Sequence, residues 1–337
     1  MSKDNTVFIG ENKSFRERNR RSGGYLLKRR SKEIAISFFR GLLMFGLCFM
    51  IIQPMISRLS MSLMEESDLY DTTIVLLPRN LTLNNFKFVA ELTTLPESML
   101  NTLWISALVS ILQIVSTTLV AYGFARFEFP LKKFWFACVI AVIIIPPQTI
   151  QTAWYLSFSK FDPLGIVSAI TGQPLNLRKT MWPYIMMCLT CMGLKDGLYI
   201  YMLRQYFKSV PDSLEEAAYV DGCGTFHTFV KIMLPDALPT IASCFLFSFV
   251  WQWTDIFYSR NFLTGYTVYA KEMSTMVTRM AYVLSDDGGK TPKVVSNGQS
   301  LQMISIAVLI CCVPLIILYC FTQRTFVESI AMTGSKE

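Results

Sequence analysis

An all-α membrane bundle of six helices with both termini cytoplasmic is the fold this sequence predicts, and three observations predict it. Apolar and aromatic residues make up 52% of the 337 residues and charged ones 16%, with a mean hydropathy of +0.40, a balance unlike that of a water-soluble globule. The apolar residues are pooled into segments close to the ~20 residues that cross a bilayer as a helix. Basic residues favour alternate connections, as they do on the cytoplasmic side of a membrane.

The basic tail, residues 1–33, carries Arg16, Arg18, Arg20, Arg21, Lys28, Arg29, Arg30 and Lys32 and supplies much of the net charge of +7. Basic residues just before an apolar run hold a helix end in the cytoplasm, so nucleic acid is not the expected partner. The first apolar run, 34–57, is too long for a cleavable signal and no small-residue cleavage site follows it, so it is expected to remain as a membrane helix. The stretch 58–99 then falls outside, where Glu65, Glu66, Asp68, Asp71, Glu91 and Glu97 outnumber Arg58, Arg79 and Lys87. Runs 100–124 and 134–156 flank a short inner connection with Arg126, Lys132 and Lys133. Runs 184–206, 241–258 and 301–321 complete the six, and Pro54, Pro146, Pro147 and Pro314 are expected to kink or break their helices. The outer stretch 260–300 carries Lys271, Arg279, Lys290 and Lys293 against the charge rule, which long loops obey weakly.

Reactive constellations are missing from the sequence. Eight of the nine cysteines (Cys48, Cys138, Cys188, Cys191, Cys244, Cys311, Cys312, Cys320) lie in apolar runs, and Cys223 lies in an inner loop, so no disulfide is expected. Cys188 and Cys191 have CxxC spacing without a second ligand pair, which makes packing rather than a metal their expected role. Gly289-Lys290-Thr291 ends like a phosphate-binding loop, but Leu284 stands where the leading glycine belongs, so nucleotide binding is not expected in this chain. His227 is the sole histidine and no catalytic partner accompanies it, so no enzyme activity or metal is expected.

The polar stretch 208–239 exceeds a simple connection. Ser213 and Glu216 have capping-box spacing, Gly222 and Gly224 offer a stop, Thr225 a second cap and Pro235 an end. Two short helices around a glycine turn are expected there. Their apolar residues Leu214, Ala217, Ala218, Phe226, Phe229 and Ile232 need the bundle or another protein to cover them.

Within that loop Glu216-Ala217-Ala218-Tyr219-Val220-Asp221-Gly222 is followed by Ile232-Met233-Leu234-Pro235. The pattern resembles the EAA loop of the inner-membrane permeases of binding-protein-dependent ABC importers. Asn101-Thr102-Leu103, the run Ala121 to Phe127, Ile145-Pro146-Pro147-Gln148, the run Leu203 to Pro211, and Gln323-Arg324 with Phe326-Val327 stand in the family's order. The resemblance is to the carbohydrate branch with the maltose-type permeases and covers residues 34–334, leaving 335–337 as a short tail. It implies a multi-pass subunit of a bacterial or archaeal cytoplasmic membrane that pairs with a second, homologous permease. It further implies two cytoplasmic ATP-binding subunits, which hold ATP and Mg, an extracytoplasmic solute-binding protein and a sugar substrate. The loop would be the coupling helix docked on the ATPase, with Glu216, Ala217, Ala218, Asp221, Gly222, Ile232, Leu234 and Pro235 as the coupling residues. Small alanines permit close approach, and Glu216 and Asp221 suit basic groups across the contact.

In the fifth run the family's Trp-Asn-Asp is Trp253-Thr254-Asp255 here, a departure that puts a ligand contact at 254 in doubt. Indole faces pack on sugar rings and amide or carboxylate groups bond hydroxyls, so Trp251, Gln252, Trp253 and Asp255 are candidate substrate-path residues. An interfacial aromatic belt with Asp255 reaching to water is the other reading. The alternatives for the chain are a self-contained secondary transporter, which the Pro146-Pro147 break alone suggests, and an importer permease for a solute other than sugar.

Overall fold

The computed structural model describes residues 25–71, 73, 77–285 and 288–334, with side chains at all of these except 26 and 324–334. The expectations for residues 1–24, including Arg16, Arg18, Arg20 and Arg21, for Asp286 and Asp287, and for 335–337 lie outside the described residues. Those described form two units, one ending at Ser60 and the other starting at Met61. They are helical throughout, with only two isolated bridges, Met64 to Leu81 and Phe161 to Leu175, among the described residues.

The first unit is essentially α1 (Tyr25–Leu63), which continues through Pro54. Its Phe38, Phe45 and Ile51 are open side chains, the all-round apolar surface of a helix at home in lipid. In the second unit α2 (Asn84–Leu92) precedes α3 (Leu95–Arg126), α4 (Lys132–Ile144), α5 (Gln151–Ser159) and α6 (Ile166–Thr171). Then come α7 (Trp182–Leu189), α8 (Asp196–Ser209), α9 (Ser213–Val220), α10 (Thr225–Asp236) and α11 (Leu238–Trp253). The chain ends with α12 (Phe257–Phe262), α13 (Tyr269–Val283) and α14 (Asn297–Gly334).

Among the described residues three uninterrupted helices are long and apolar enough to cross a membrane: Leu27–Leu63, Leu95–Arg126 and Asn297–Gln323. The other expected runs are broken, each for a local reason. In 134–156 the chain turns 99° between α4 and the Pro147–Ser159 piece. Ile145 is extended there (φ −73°, ψ 120°) because the following proline ring disfavours the helical region, and two prolines in a row supply no amide to resume it. In 184–206 the expected single helix is two, α7 and α8, separated by residues 190–195, where Cys191 and Lys195 take left-handed φ of 55° and 68°. The 241–258 run begins earlier, turns 75° from α10 into α11, and ends at Trp253, so Asp255 lies beyond the helix. Pro314, like Pro54, stays inside a continuous helix.

α3 is the spine of the second unit and packs against α7, α8, α11 and α13. Its buried face is lined with Ser98, Thr102, Ser106, Ser110, Ser116, Thr117 and Thr118, small residues that let neighbouring helices approach closely. One apolar core joins α3 to α8, α10 and α11 through Tyr122, Leu203, Phe207, Phe229, Met233 and Cys244. A second joins it to α7 and α12 through Ile105, Val109, Tyr184, Met187, Tyr258 and Phe262. All nine cysteines are free thiols.

Candidate functional site

The 208–239 loop is the two-helix unit expected, with different ends. Ser213 is the first residue of α9 rather than its cap, the flanking residue is Asp212, and no side chain caps either α9 or α10. Asp212 is drawn elsewhere: its carboxylate pairs with the Arg126 guanidinium at the end of α3. The turn is a complete Schellman closure, in which the Cys223 amide donates to the Ala218 carbonyl (2.9 Å) and the Gly222 amide to that of Tyr219 (3.0 Å). Such a closure needs a left-handed residue at its centre, and Gly222 supplies it with φ 81°. Pro235 does not end the second helix at once; α10 runs through a π-helical turn, Phe229–Met233, and Pro235 sits in its last turn.

What fastens this loop to the bundle is a cluster the sequence did not single out. Arg126, with a side chain 9% exposed, also approaches Glu215 Oε1 at 3.4 Å and donates to the Val210 carbonyl at 2.7 Å. The Tyr122 hydroxyl donates to the same Glu215 oxygen at 3.0 Å. The Tyr122 ring lies 4.6 Å from Phe229 and 5.5 Å from Phe207, centroid to centroid. At the far end of the loop the Tyr206 hydroxyl donates to the Asp236 carbonyl at 2.6 Å. Glu215, one residue before the recognised motif, is therefore the buried member of the acidic pair and Glu216 the open one. The signal available in the sequence was the tandem acid itself, whose two carboxylates point about 100° apart on a helix.

The eight coupling candidates divide accordingly. Ala218 is buried against the bundle, Ile232 and Leu234 are half-buried, and Glu216, Ala217, Asp221, Gly222 and Pro235 are open. Beside them Val220 is 88% and Phe226 74% exposed. The outer surface of the loop thus combines carboxylates, small residues and bare apolar side chains. A surface of that kind suits a protein partner better than water.

The four path candidates are parted by the structure. Gln252 and Trp253 are buried: the Trp253 ring stacks on Phe249 at 5.7 Å and its Nε1 donates to the Cys311 carbonyl at 3.2 Å. Gln252 Nε2 donates to the Tyr184 hydroxyl at 3.4 Å. Asp255 is buried as well and does not reach to water. Its carboxylate accepts from the amides of Tyr258 and Ser259 (3.2 and 2.8 Å), from the Ser259 hydroxyl and from Tyr184, so it organises the start of α12. Trp251 alone of the four is open, 46% exposed, with the Lys195 ammonium 5.0 Å from its ring centroid.

Lys195 belongs to the break between α7 and α8, which is held by side chains of α3. Ser116 Oγ donates to the Cys188 carbonyl (2.6 Å) and Gln113 Nε2 to that of Leu194 (2.9 Å). The Asp196 carboxylate accepts from the Gly193 amide at 2.6 Å, and Ser248 Oγ of α11 donates to Gln113 Oε1 at 2.5 Å. A Cβ at Gly193 would stand 2.6 Å from Gln113 Nε2. Carbonyls freed by a helix break need partners inside the protein, and Cys188 and Leu194 have them in Ser116 and Gln113.

Three comparisons place these features among known proteins. The family described as binding-protein-dependent transport system inner membrane component matches residues 94–327. The osmoprotective compounds uptake permease protein GgtD of Synechocystis sp. is 28% identical over 75% of this chain and 74% of its own length. The arabinooligosaccharides transport system permease protein AraQ of Halalkalibacterium halodurans is 24% identical over 86% and 93%. Among solved structures, a chain of a bacterial ABC transporter that imports the acidic polysaccharide alginate superposes with a TM-score of 0.62 at 17% identity, covering 88% of this chain and 98% of that one. That likeness is one of fold.

Proposed function

This chain belongs to the family of binding-protein-dependent transport system inner membrane components, and from that premise we propose that it is one of two permease subunits of an ABC importer for a sugar or oligosaccharide. The membrane-spanning part is read as six crossings, formed by α1, α3, α4 with its bent continuation, the α7–α8 pair, α11 and α14, with both termini cytoplasmic. The 208–239 loop then faces the cytoplasm and docks on one of two ATP-binding subunits, which hold ATP and Mg and carry out the hydrolysis. An extracytoplasmic binding protein delivers the solute from the other side. The sugar reading is supported by relatives such as the arabinooligosaccharide permease.

One observation carries the coupling role: the open face of α9 is joined to the membrane helices through a buried latch. Arg126 of α3 holds Asp212 and Glu215, while Tyr122, Phe207 and Phe229 interlock three elements. A push on Ala217 or Val220 is transmitted to α3 and α8 because close-packed rings do not deform continuously. Closure of the ATPase draws the loops of the two permeases together and turns the pathway outward; hydrolysis and release reset it. The test substitutes the open face only. Gly222→Trp and Glu216→Lys are expected to insert and fold normally yet lose ATPase co-purification and uptake; normal values for both variants would remove the docking assignment.

The second break, at 190–195, favours one other reading, a self-contained ion-coupled transporter, since such proteins use discontinuous helices at membrane depth. Uptake by the purified chain alone in vesicles, driven by an ion gradient and indifferent to nucleotide, would establish that reading in place of the first.

A further inference from the structure

Lys195 is a charged side chain in a place where charges are not kept without use. On the six-crossing reading α7 and α8 share one span, and Lys195 stands at their junction, with the 14 residues of α8, about 21 Å of helix, on its inner side and the 8 residues of α7, about 12 Å of helix, on its outer side. On that reading the junction lies within the ~30 Å hydrocarbon layer. It is exposed on the second unit and forms no ion pair with a carboxylate among the described residues. The neighbouring Asp196 carboxylate is fully buried: its Oδ2 accepts from the Gly193 amide, its Oδ1 has no hydrogen-bond partner, and neither oxygen pairs with the Lys195 ammonium among the described residues. An ammonium at this depth does not face lipid; it faces a water-filled path or an anion. Its backbone is left-handed (φ 68°), a conformation that suits Gly or Asn better, and strain of this kind gathers at functional positions.

Among the described residues the ammonium stands over an indole face, 5.0 Å from the Trp251 ring centroid. The pairing keeps Lys195 beside Trp251, and both side chains are exposed. An aromatic face for the apolar side of a pyranose and an ammonium for a carboxylate are the two contacts a uronic acid residue offers. A neutral sugar would use only the first and leave the charge uncompensated.

We propose that Lys195 and Trp251 form a substrate-path site for acidic sugars, so that the solute carried by this permease is a uronate-containing saccharide. The site rests on the permease reading above and names its substrate class. The cation–π contact holds the ammonium until the passing carboxylate takes it, and the sugar ring then occupies the vacated indole face.

The experiment uses the complete transporter with its binding protein in proteoliposomes, measuring ATP-driven uptake of labelled trigalacturonate and of maltotriose. Trigalacturonate uptake is expected to exceed that of maltotriose at least tenfold. Lys195→Met should lower it tenfold or more with subunit co-purification intact, and Lys195→Arg should retain most of it. Uptake unchanged by Lys195→Met overturns the site, and so does loss of co-purification in that variant, which would assign the charge to a carboxylate of the second permease. Uptake of maltotriose in preference to trigalacturonate overturns the acidic-sugar assignment and leaves the sugar permease standing. Transport of neither trisaccharide, with ATP-driven uptake of glycine betaine or an amino acid in its place, overturns both.

Discussion

Where α3 ends at Arg126, the chain is held by interlocked rings and one buried ionic latch; midway along the same helix, at Gln113 and Ser116, it is held by hydrogen bonds to a broken backbone. In the first region Tyr122, Phe207 and Phe229 form a rigid block around Glu215. In the second, Gln113 is both donor to Leu194 and acceptor from Ser248. Under the proposed importer role, the first region would transmit force and the second would yield. A lever must be stiff where force enters, and a pathway must rearrange where solute passes.

The largest effect that would break this comparison is expected at the latch. Arg126→Ala leaves Glu215 buried with the Tyr122 hydroxyl against it, and loss of one member of a buried ion pair costs about 3–5 kcal/mol. The detergent-solubilised transporter should melt several degrees lower and lose uptake while α8 and α11 still fold; an unchanged melting temperature would show that the latch is ornamental. Next comes Gly193→Ala at the break. Its Cβ would meet Gln113 Nε2 at 2.6 Å and Asp196 Oδ2 at 2.9 Å, an overpacking of about 1–3 kcal/mol. Since the obstructing atoms are ends of side chains, the cost should be lower than at Arg126, and the same thermal melt orders the two.

Gly222→Ala sharpens the comparison from the other side. Nothing lies within 4 Å of the added Cβ, so only the left-handed backbone is strained, at about 1–2 kcal/mol. A loss of uptake far beyond that modest change in stability would mean that a partner occupies the space. Smallest is Ser116→Ala, which removes one donor to the Cys188 carbonyl (2.6 Å); about 1 kcal/mol is expected in the thermal melt. If this single bond proved as costly as the Arg126 latch, the break would be as rigid as the block.

Much of the architecture was legible without coordinates because it depends on quantities summed along the chain. The pooled apolar runs, the two-helix loop with its turn at Gly222 and the break at Pro146-Pro147 each follow from local chemistry: bilayer thickness, the demand for a left-handed residue, and the missing amides of adjacent prolines. The break at 190–195 was not legible in the same way. Met-Met-Cys-Leu-Thr-Cys is as apolar as an uninterrupted helix, and its carbonyls are released only because Gln113 and Ser116, far away in sequence, receive or replace their partners. The path candidates failed to stay together for a similar reason. Successive residues on a helix point about 100° apart, so Trp251 opens outward while Gln252 and Trp253 turn into α7 and α14, and Asp255 is claimed by the amides of α12.

By itself, then, the sequence determined that this is a helical membrane protein with a two-helix polar loop, since composition, run length and a contiguous motif need no knowledge of neighbours. The tertiary structure alone decided which of two adjacent glutamates is buried, which of four aromatic and polar residues stands open, and that a lysine lies beside a tryptophan. Those outcomes depend on which surfaces meet, and a side chain's partner across the bundle is set by packing rather than by its place in the chain.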